Sequence, residues 1–196
     1  MDPDLALIEA IQKADESALR TLMERYREPI FRFAWRYVRN DTIAAEIAEE
    51  TFVKVFFKAH SFRPKAKVST WIFSIAANLC HDHYRREARR KILPLFGFPG
   101  KTDGGNSTEM AARIPDRSSD TEQAILDREN EALVAAAVDR LPAKLKSAFI
   151  LFALEGHSQR ECAEILGISP KTVETRVYRA RRHLREKLGD HFYGEK

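Results

Sequence analysis

The sequence predicts an all-α protein of two small helical domains joined by a flexible linker, and three observations carry that prediction. Apolar residues recur at three- and four-residue steps through both halves of the chain. Gly and Pro number only eight each among 196 residues, while the good helix formers Ala, Leu, Glu and Arg are abundant. The breakers also cluster: Pro94, Pro99 and Pro115 fall with Gly97, Gly100, Gly104 and Gly105 between the two periodic stretches.

In the first half, residues 4–13 give a short amphipathic helix through Leu5, Ile8 and Ile11. Asp15 is placed to cap a longer helix reaching Val38, with Leu19, Leu22, Met23, Tyr26, Ile30, Phe33 and Tyr37 inward. Pro29 should kink or interrupt it. Asn40 and Asp41 mark the next turn and cap. A third helix, 42–59, buries Ile47, Phe52, Val55 and Phe56 and shows Glu46, Glu49, Glu50 and Lys54. The loop HSFRPKAKVS follows, broken at Pro64, and Ser69 is placed to cap a fourth helix whose far end carries Arg85, Arg86, Arg89, Arg90 and Lys91.

Residues 92–121 hold no sustained periodicity and are too long and polar for an ordinary internal loop, so they are assigned as linker between domains at 1–91 and 122–196. Its apolar start, Leu93-Pro94-Leu95-Phe96 with Phe98, is either a docking motif or a cover for the first core. The second half begins with a helix from Glu122 to Arg140, then a break at Leu141-Pro142, a helix over 143–154 and a turn at Glu155-Gly156-His157. From Ser158 a short helix, a turn at Gly167-Ile168-Ser169 and a long basic helix follow. Gly167 permits the left-handed backbone that ends one helix, Ser169 can cap the next, and Pro170 suits its first position. Val173, Val177, Ala180, Leu184 and Leu188 form one buried stripe, leaving Lys171, Thr172, Thr175, Arg176, Arg179 and further Arg residues outside. A helix that hides an aliphatic stripe and displays Arg, Lys and Thr suits a DNA major groove.

Totals narrow the class. Charged residues make 32% of the chain and the net charge is +4, so local cationic clusters matter more than the sum. No apolar run approaches the ~18 residues that would span a bilayer, and the acidic start MDPDLALIEA is unlike a signal peptide, which points to a cytoplasmic protein. Cys80 and Cys162 lie in apolar helical patterns and are expected as buried free thiols. Cys80-His81-Asp82-His83 is the one candidate metal cluster, but neighbours on a helix point about 100° apart and cannot easily share an ion. With no Gly-rich phosphate loop and no nucleophile motif, the chain is not expected to be an enzyme, and no cofactor is expected.

The segments ALRTLMERY, AEETFVKVFFKAHSF and STWIFSIAANLCHDHYRRE resemble the second conserved region of bacterial sigma factors. LPAKLKSAFILFALEGHSQRECAEILGISPKTVETRVYRARRHLREKL resembles their fourth. Only these two regions, in this order, resemble the small extracytoplasmic-function (ECF) branch. The resemblance spans most of residues 5–90 and 123–188, and implies a region 2 helical bundle and a region 4 helix-turn-helix. It implies as partners core RNA polymerase, promoter DNA and an anti-sigma factor, with a free monomer and no membrane insertion.

The same resemblance assigns roles to single residues. Glu46, Glu49, Glu50 and Phe52 fall where the family docks on polymerase. Phe62, Arg63, Lys65, Lys67, Trp71, Asn78, Arg85 and Arg86 fall where it melts the −10 element and holds the exposed strand. Lys171, Thr172, Thr175, Arg176 and Arg179 fall where it reads the −35 element. Read physically, Trp71 lies at core spacing with Ile72, Ile75 and Leu79, Asn78 suits a base edge or a loop cap, and a lone Arg favours phosphate over base. The chain departs from the family at Glu49, where Gln is usual, at Ala77, where a basic residue is frequent, and at Lys171, where Gly is common. One rival is a helix-turn-helix regulator that is not a polymerase subunit. ISPKTVETRV also resembles the DNA-binding domain of response regulators, but residues 1–90 lack the alternating strands of their receiver domain.

Overall fold

In the first half of the chain the two middle helices each start on a side chain that accepts from their free N–H groups. A computed structural model describes residues 2–64, 66–92 and 122–192. Helix α1 (Leu5–Ile11) lies across α2 (Glu16–Val38) and buries Ile8 and Ile11. Asp4, itself buried, ties the two together by taking the Arg25 guanidinium and the Tyr26 hydroxyl. Asp15 caps α2 by accepting from the Ser17 and Ala18 N–H groups at 2.8 and 3.3 Å. The Ser17 hydroxyl and these amides hold its carboxyl below the usual range.

Helix α2 runs through Pro29 without interruption. Proline removes one ladder bond, but Leu22, Ile30 and Phe33 on either side are fully buried, and that packing holds the helix together. Arg39, left-handed at φ 56°, ends it, and Asn40 caps α3 (Asp41–Lys58) by accepting from Ile43 N–H at 2.9 Å. A short 3₁₀ turn, Ala59–Ser61, leads to the loop before α4 (Val68–Ile92). Ser69 is not the cap there. The helix starts one residue earlier, and the Val68 N–H donates at 2.6 Å to the carboxylate of Asp2, from the other end of the domain.

The second half comprises α5 (Glu122–Asp139), α6 (Ala143–Phe149), α7 (Gln159–Leu166) and α8 (Pro170–Phe192), with α5, α6 and α7 all packed on α8. The predicted helix over 143–154 relaxes after Phe149 into a π turn, Ile150–Leu154. Its extra residue per turn brings Leu154 and Glu155 round to face α2. The two domains meet: α7 packs along α4 and the π turn along α2, so the buried residues of both halves form one connected cluster. The linker and its Leu93–Phe98 patch lie outside the described residues. Among the described residues there is no strand, and no helix is long and apolar enough to cross a membrane.

Ile72 has no exposed surface and sits in the second turn of α4, whereas Tyr178 on α8 is 67% exposed. Ile72→Ala should lower the unfolding free energy by about 2–5 kcal/mol in urea titrations, and Tyr178→Ala should leave it within about 0.5 kcal/mol.

Candidate nucleic-acid interface

Short-range chemistry sets the helix-turn-helix. Ser158 and Glu161 form a reciprocal capping box at the start of α7, with the Glu161 N–H donating to Ser158 Oγ at 3.2 Å and the Ser158 N–H donating to the Glu161 carboxylate at 3.0 Å. Gly167 ends α7 at φ 63°, and the Ile168 N–H returns to the Ala163 carbonyl at 3.0 Å. Ser169 then accepts from the Thr172 N–H at 3.2 Å and opens α8. Val173, Val177, Ala180 and Leu184 are buried beneath α8. Lys171 and Arg179 are exposed, while Thr172, Thr175 and Arg176 are half-buried. Lys171 rests on Glu174 at 3.0 Å and the Thr175 hydroxyl on the Lys171 carbonyl at 2.9 Å, contacts a nucleic acid would have to displace. Exposed Tyr178 shares this surface; between Val177 and Arg179 its letter gives no sign of which way it faces.

Helix α4 arranges its outer residues in lines. Trp71, Asn78 and Arg85 recur every seven residues along one edge, with Asn78 and Arg85 exposed and Trp71 half-buried. Phe62 is only 6% exposed and packs on Trp71 with ring centroids 5.0 Å apart, so it supports that ring from beneath and offers no open stacking face. Arg63 and Lys67 are exposed in the loop, and Lys65 lies outside the described residues. Further along, Arg85, Arg86 and Arg89 line a cleft shared with Glu50, Lys54 and Asp82. Asp82 pairs with Arg85, Cys80 is buried in the core, and His81 turns to the second domain, so this run diverges. Among the described residues no three His, Cys, Asp or Glu are arranged to hold a metal ion.

On α3, Glu46, Glu49 and Glu50 are exposed. Phe52, by contrast, is 2% exposed and points into the core, where it shapes the helix's seat and cannot touch a partner. The aromatic and aliphatic groups available on that surface are Val53 at 53% and Phe57 at 74% exposure. Counting in threes and fours from Glu46 through Glu50 and Val53 reaches Phe57 and could have found them, but VKVFFK looks like core in one-letter code.

The seam between the domains joins buried apolar residues with specific polar contacts. The Glu155 side chain is 3% exposed and accepts from Arg36 Nη1 at 2.6 Å and from Arg32 at 3.4 Å, while Arg36 Nη1 also donates to the Leu154 carbonyl at 2.7 Å. Lys67 Nζ donates to Glu161 at 2.8 Å. The His157 ring stands edge-on to Phe73 at 4.6 Å. His81 Nε2 lies 2.8 Å from the Ser147 hydroxyl, which is also 2.7 Å from the Ala143 carbonyl. Burial holds both His81 and His157 below their usual pKa, and the positive charge of Arg176 adds to the effect at His81. The Lys67 bond, with the capping box, pulls the Glu161 carboxyl down to about 2.

Residues 22–90 match the family model for sigma-70 region 2, and residues 131–184 match that for sigma-70 region 4. The ECF RNA polymerase sigma-E factor of Haemophilus influenzae is 30% identical over 190 residues, covering 94% of this chain and 95% of the relative. The chain is an ECF sigma factor. The ECF sigma factor SigW of Bacillus subtilis is 28% identical over 183 residues, covering 93% of this chain and 95% of its own. Among solved structures, CnrH in complex with the cytosolic domain of CnrY shares the fold at a TM-score of 0.67 and 24% identity, over 95% of this chain and 97% of CnrH. The sigma factor RpoE in complex with the anti-sigma factor NepR from Bartonella quintana gives 0.61 at 21% identity, over 87% and 96%. An RNA polymerase sigma factor is a transcription initiation factor, and the helix-turn-helix regulator that stands apart from polymerase is not favoured.

The Glu161 carboxyl should titrate near 2 in a carbon-detected NMR pH series, so that the Lys67 contact is intact at neutral pH and is lost only as pH falls toward that value. Lys67→Met should move the midpoint up toward 4.5, the ordinary carboxylate value.

Proposed function

We propose that the second domain reads the −35 element with α8, using Lys171, Thr172 and Thr175 toward base edges and Arg176 and Arg179 on phosphates. The observation that carries this is α8 itself: its aliphatic stripe is buried in its own domain, and cations line the surface that remains. The first domain engages the −10 element along the edge of α4. Arg63, Lys67, Arg85 and Arg86 take phosphates, and Trp71, propped by Phe62, and Asn78 meet unstacked bases. Core polymerase docks on α3 through Glu46, Glu49 and Glu50, joined by Val53 and Phe57 in place of buried Phe52. The functional domains correspond to residues 1–91 and 122–196, in a cytoplasmic protein without catalysis of its own. An anti-sigma factor is the proposed regulator, because RpoE of Bartonella quintana is held by one.

In vitro transcription with purified core polymerase on genomic fragments tests the whole reading, and transcripts that start at new, reproducible sites are the expected result. Unchanged start sites would overturn it. Arg176→Ala with Arg179→Ala should weaken promoter-duplex binding and lower the slope of log K against log salt by roughly 1–2, as two phosphate contacts are lost. Charge reversal at Glu49 and Glu50 to Lys should abolish co-purification with core polymerase while the circular dichroism spectrum stays unchanged.

A further inference from the structure

Helix α8 carries a single acid in the turns that would approach a promoter. From Lys171 to Arg182 the exposed residues are Lys171, Glu174, Tyr178, Arg179, Arg181 and Arg182, and Glu174 alone among them is negative. Its carboxylate lies 3.0 Å from Lys171 Nζ, and it lines a shallow groove with Thr175 and Tyr178. Lys171 and Thr175 are the residues proposed for base edges, so Glu174 lies over the bases with them.

An acid is costly there. Phosphates repel it, and a carboxylate accepts hydrogen bonds but donates none. In the free chain Lys171 satisfies it. Once Lys171 turns to a base edge that bond is given up, and Arg181, the other cation lining the groove, lies over the Phe152 ring at 5.9 Å. The replacement hydrogen must then come from the DNA. In the major groove only the amino groups of cytosine and adenine offer one.

What stands beside each amino group decides between them. A C·G pair shows the cytosine amino donor next to the guanine O6 acceptor, and guanine N7 adds a second acceptor for Lys171. Cytosine has no acceptor beside its amino group to repel the carboxylate. In an A·T pair adenine N7 crowds the carboxylate, and thymine offers Lys171 only O4, beside a methyl group. An acceptor and a donor held 3.0 Å apart on one helix face therefore suit C·G and disfavour A·T.

We propose that Glu174 is a specificity-determining residue: it accepts from cytosine N4 at one position of the −35 element while Lys171 donates to the guanine of the same base pair. This rests on the reading of α8 as the −35 helix. Much of the selection is repulsive, since guanine or thymine at that position sets an acceptor oxygen against a carboxylate that has no hydrogen to share.

The test is transcription by core polymerase loaded with the full chain, on a pool of promoters with a randomised −35 element, each template identified by a transcribed barcode. The wild-type chain should favour cytosine at one position by roughly tenfold over each other base. Glu174→Ala should erase that preference and leave those at the other positions in place. Glu174→Arg should put guanine where cytosine stood, because arginine pairs with guanine bidentately. If Glu174→Ala keeps the wild-type preferences, or weakens them evenly at every position, Glu174 only braces the helix; the proposal is overturned and α8 remains the −35 reader. A position sensitive to Glu174→Ala that favours any base but cytosine overturns it equally. If the wild-type chain directs fixed start sites yet shows no preference within the randomised element, the −35 reading itself fails and the proposal with it.

Discussion

Helix α4 has to satisfy two neighbours at once, and the rest of the molecule is arranged around that demand. One face, with Val68, Ile72, Ala76 and Leu79, completes the core beneath α2 and α3. The opposite flank, with Phe73, Ala77 and His81, carries the second domain. Between the two faces only a narrow edge remains, and there the chain places Trp71, Asn78 and Arg85. A helix so largely buried is rigid, which suits a surface that must hold side chains against single-stranded nucleic acid.

The two faces are held by different physics. The core face is aliphatic and shape-specific, so it stays packed over any ordinary range of salt and pH. The domain seam adds to buried Phe73 and Ala77 a set of charge-assisted bonds from Arg32, Arg36 and Lys67 to Glu155 and Glu161, with His157 Nε2 buried nearby. Bonds of this kind can part and re-form, because water and counter-ions replace what is lost; an aliphatic core cannot. The contrast in chemistry thus separates what stays folded from what can move.

Most of the helices are legible in the sequence because their signals are local. Asp15, Asn40, Ser158, Gly167, Ser169 and Pro170 act within a few residues of themselves, and the α8 stripe repeats along most of its helix. What escapes is set by distant partners or by shape. Asp2 supplants Ser69 as the cap of α4 from the far end of the domain, and nothing near Val68 announces it. Phe52 and Phe57 are the same letter five residues apart, yet one is core and the other 74% exposed, a distinction that needs the neighbouring helices. The domain seam is not legible at all, since Glu155, Glu161, Arg32 and Arg36 each look like ordinary solvated charges. For the candidate site, exposure of Lys171, Arg179, Asn78 and Arg85 follows from periodicity; the burial of Phe62 beneath Trp71 does not.

The π turn at Ile150–Leu154 makes the bearing of the second domain a matter of counting. It carries one residue more than an α-helical turn needs, and that surplus aims Glu155 at α2. Removing any residue within it would restore the regular ladder and rotate all that follows by about 100°. Conservative replacements there are tolerable in principle, but a change of length is not: orientation is stored in the number of peptide units, independently of which side chains they bear.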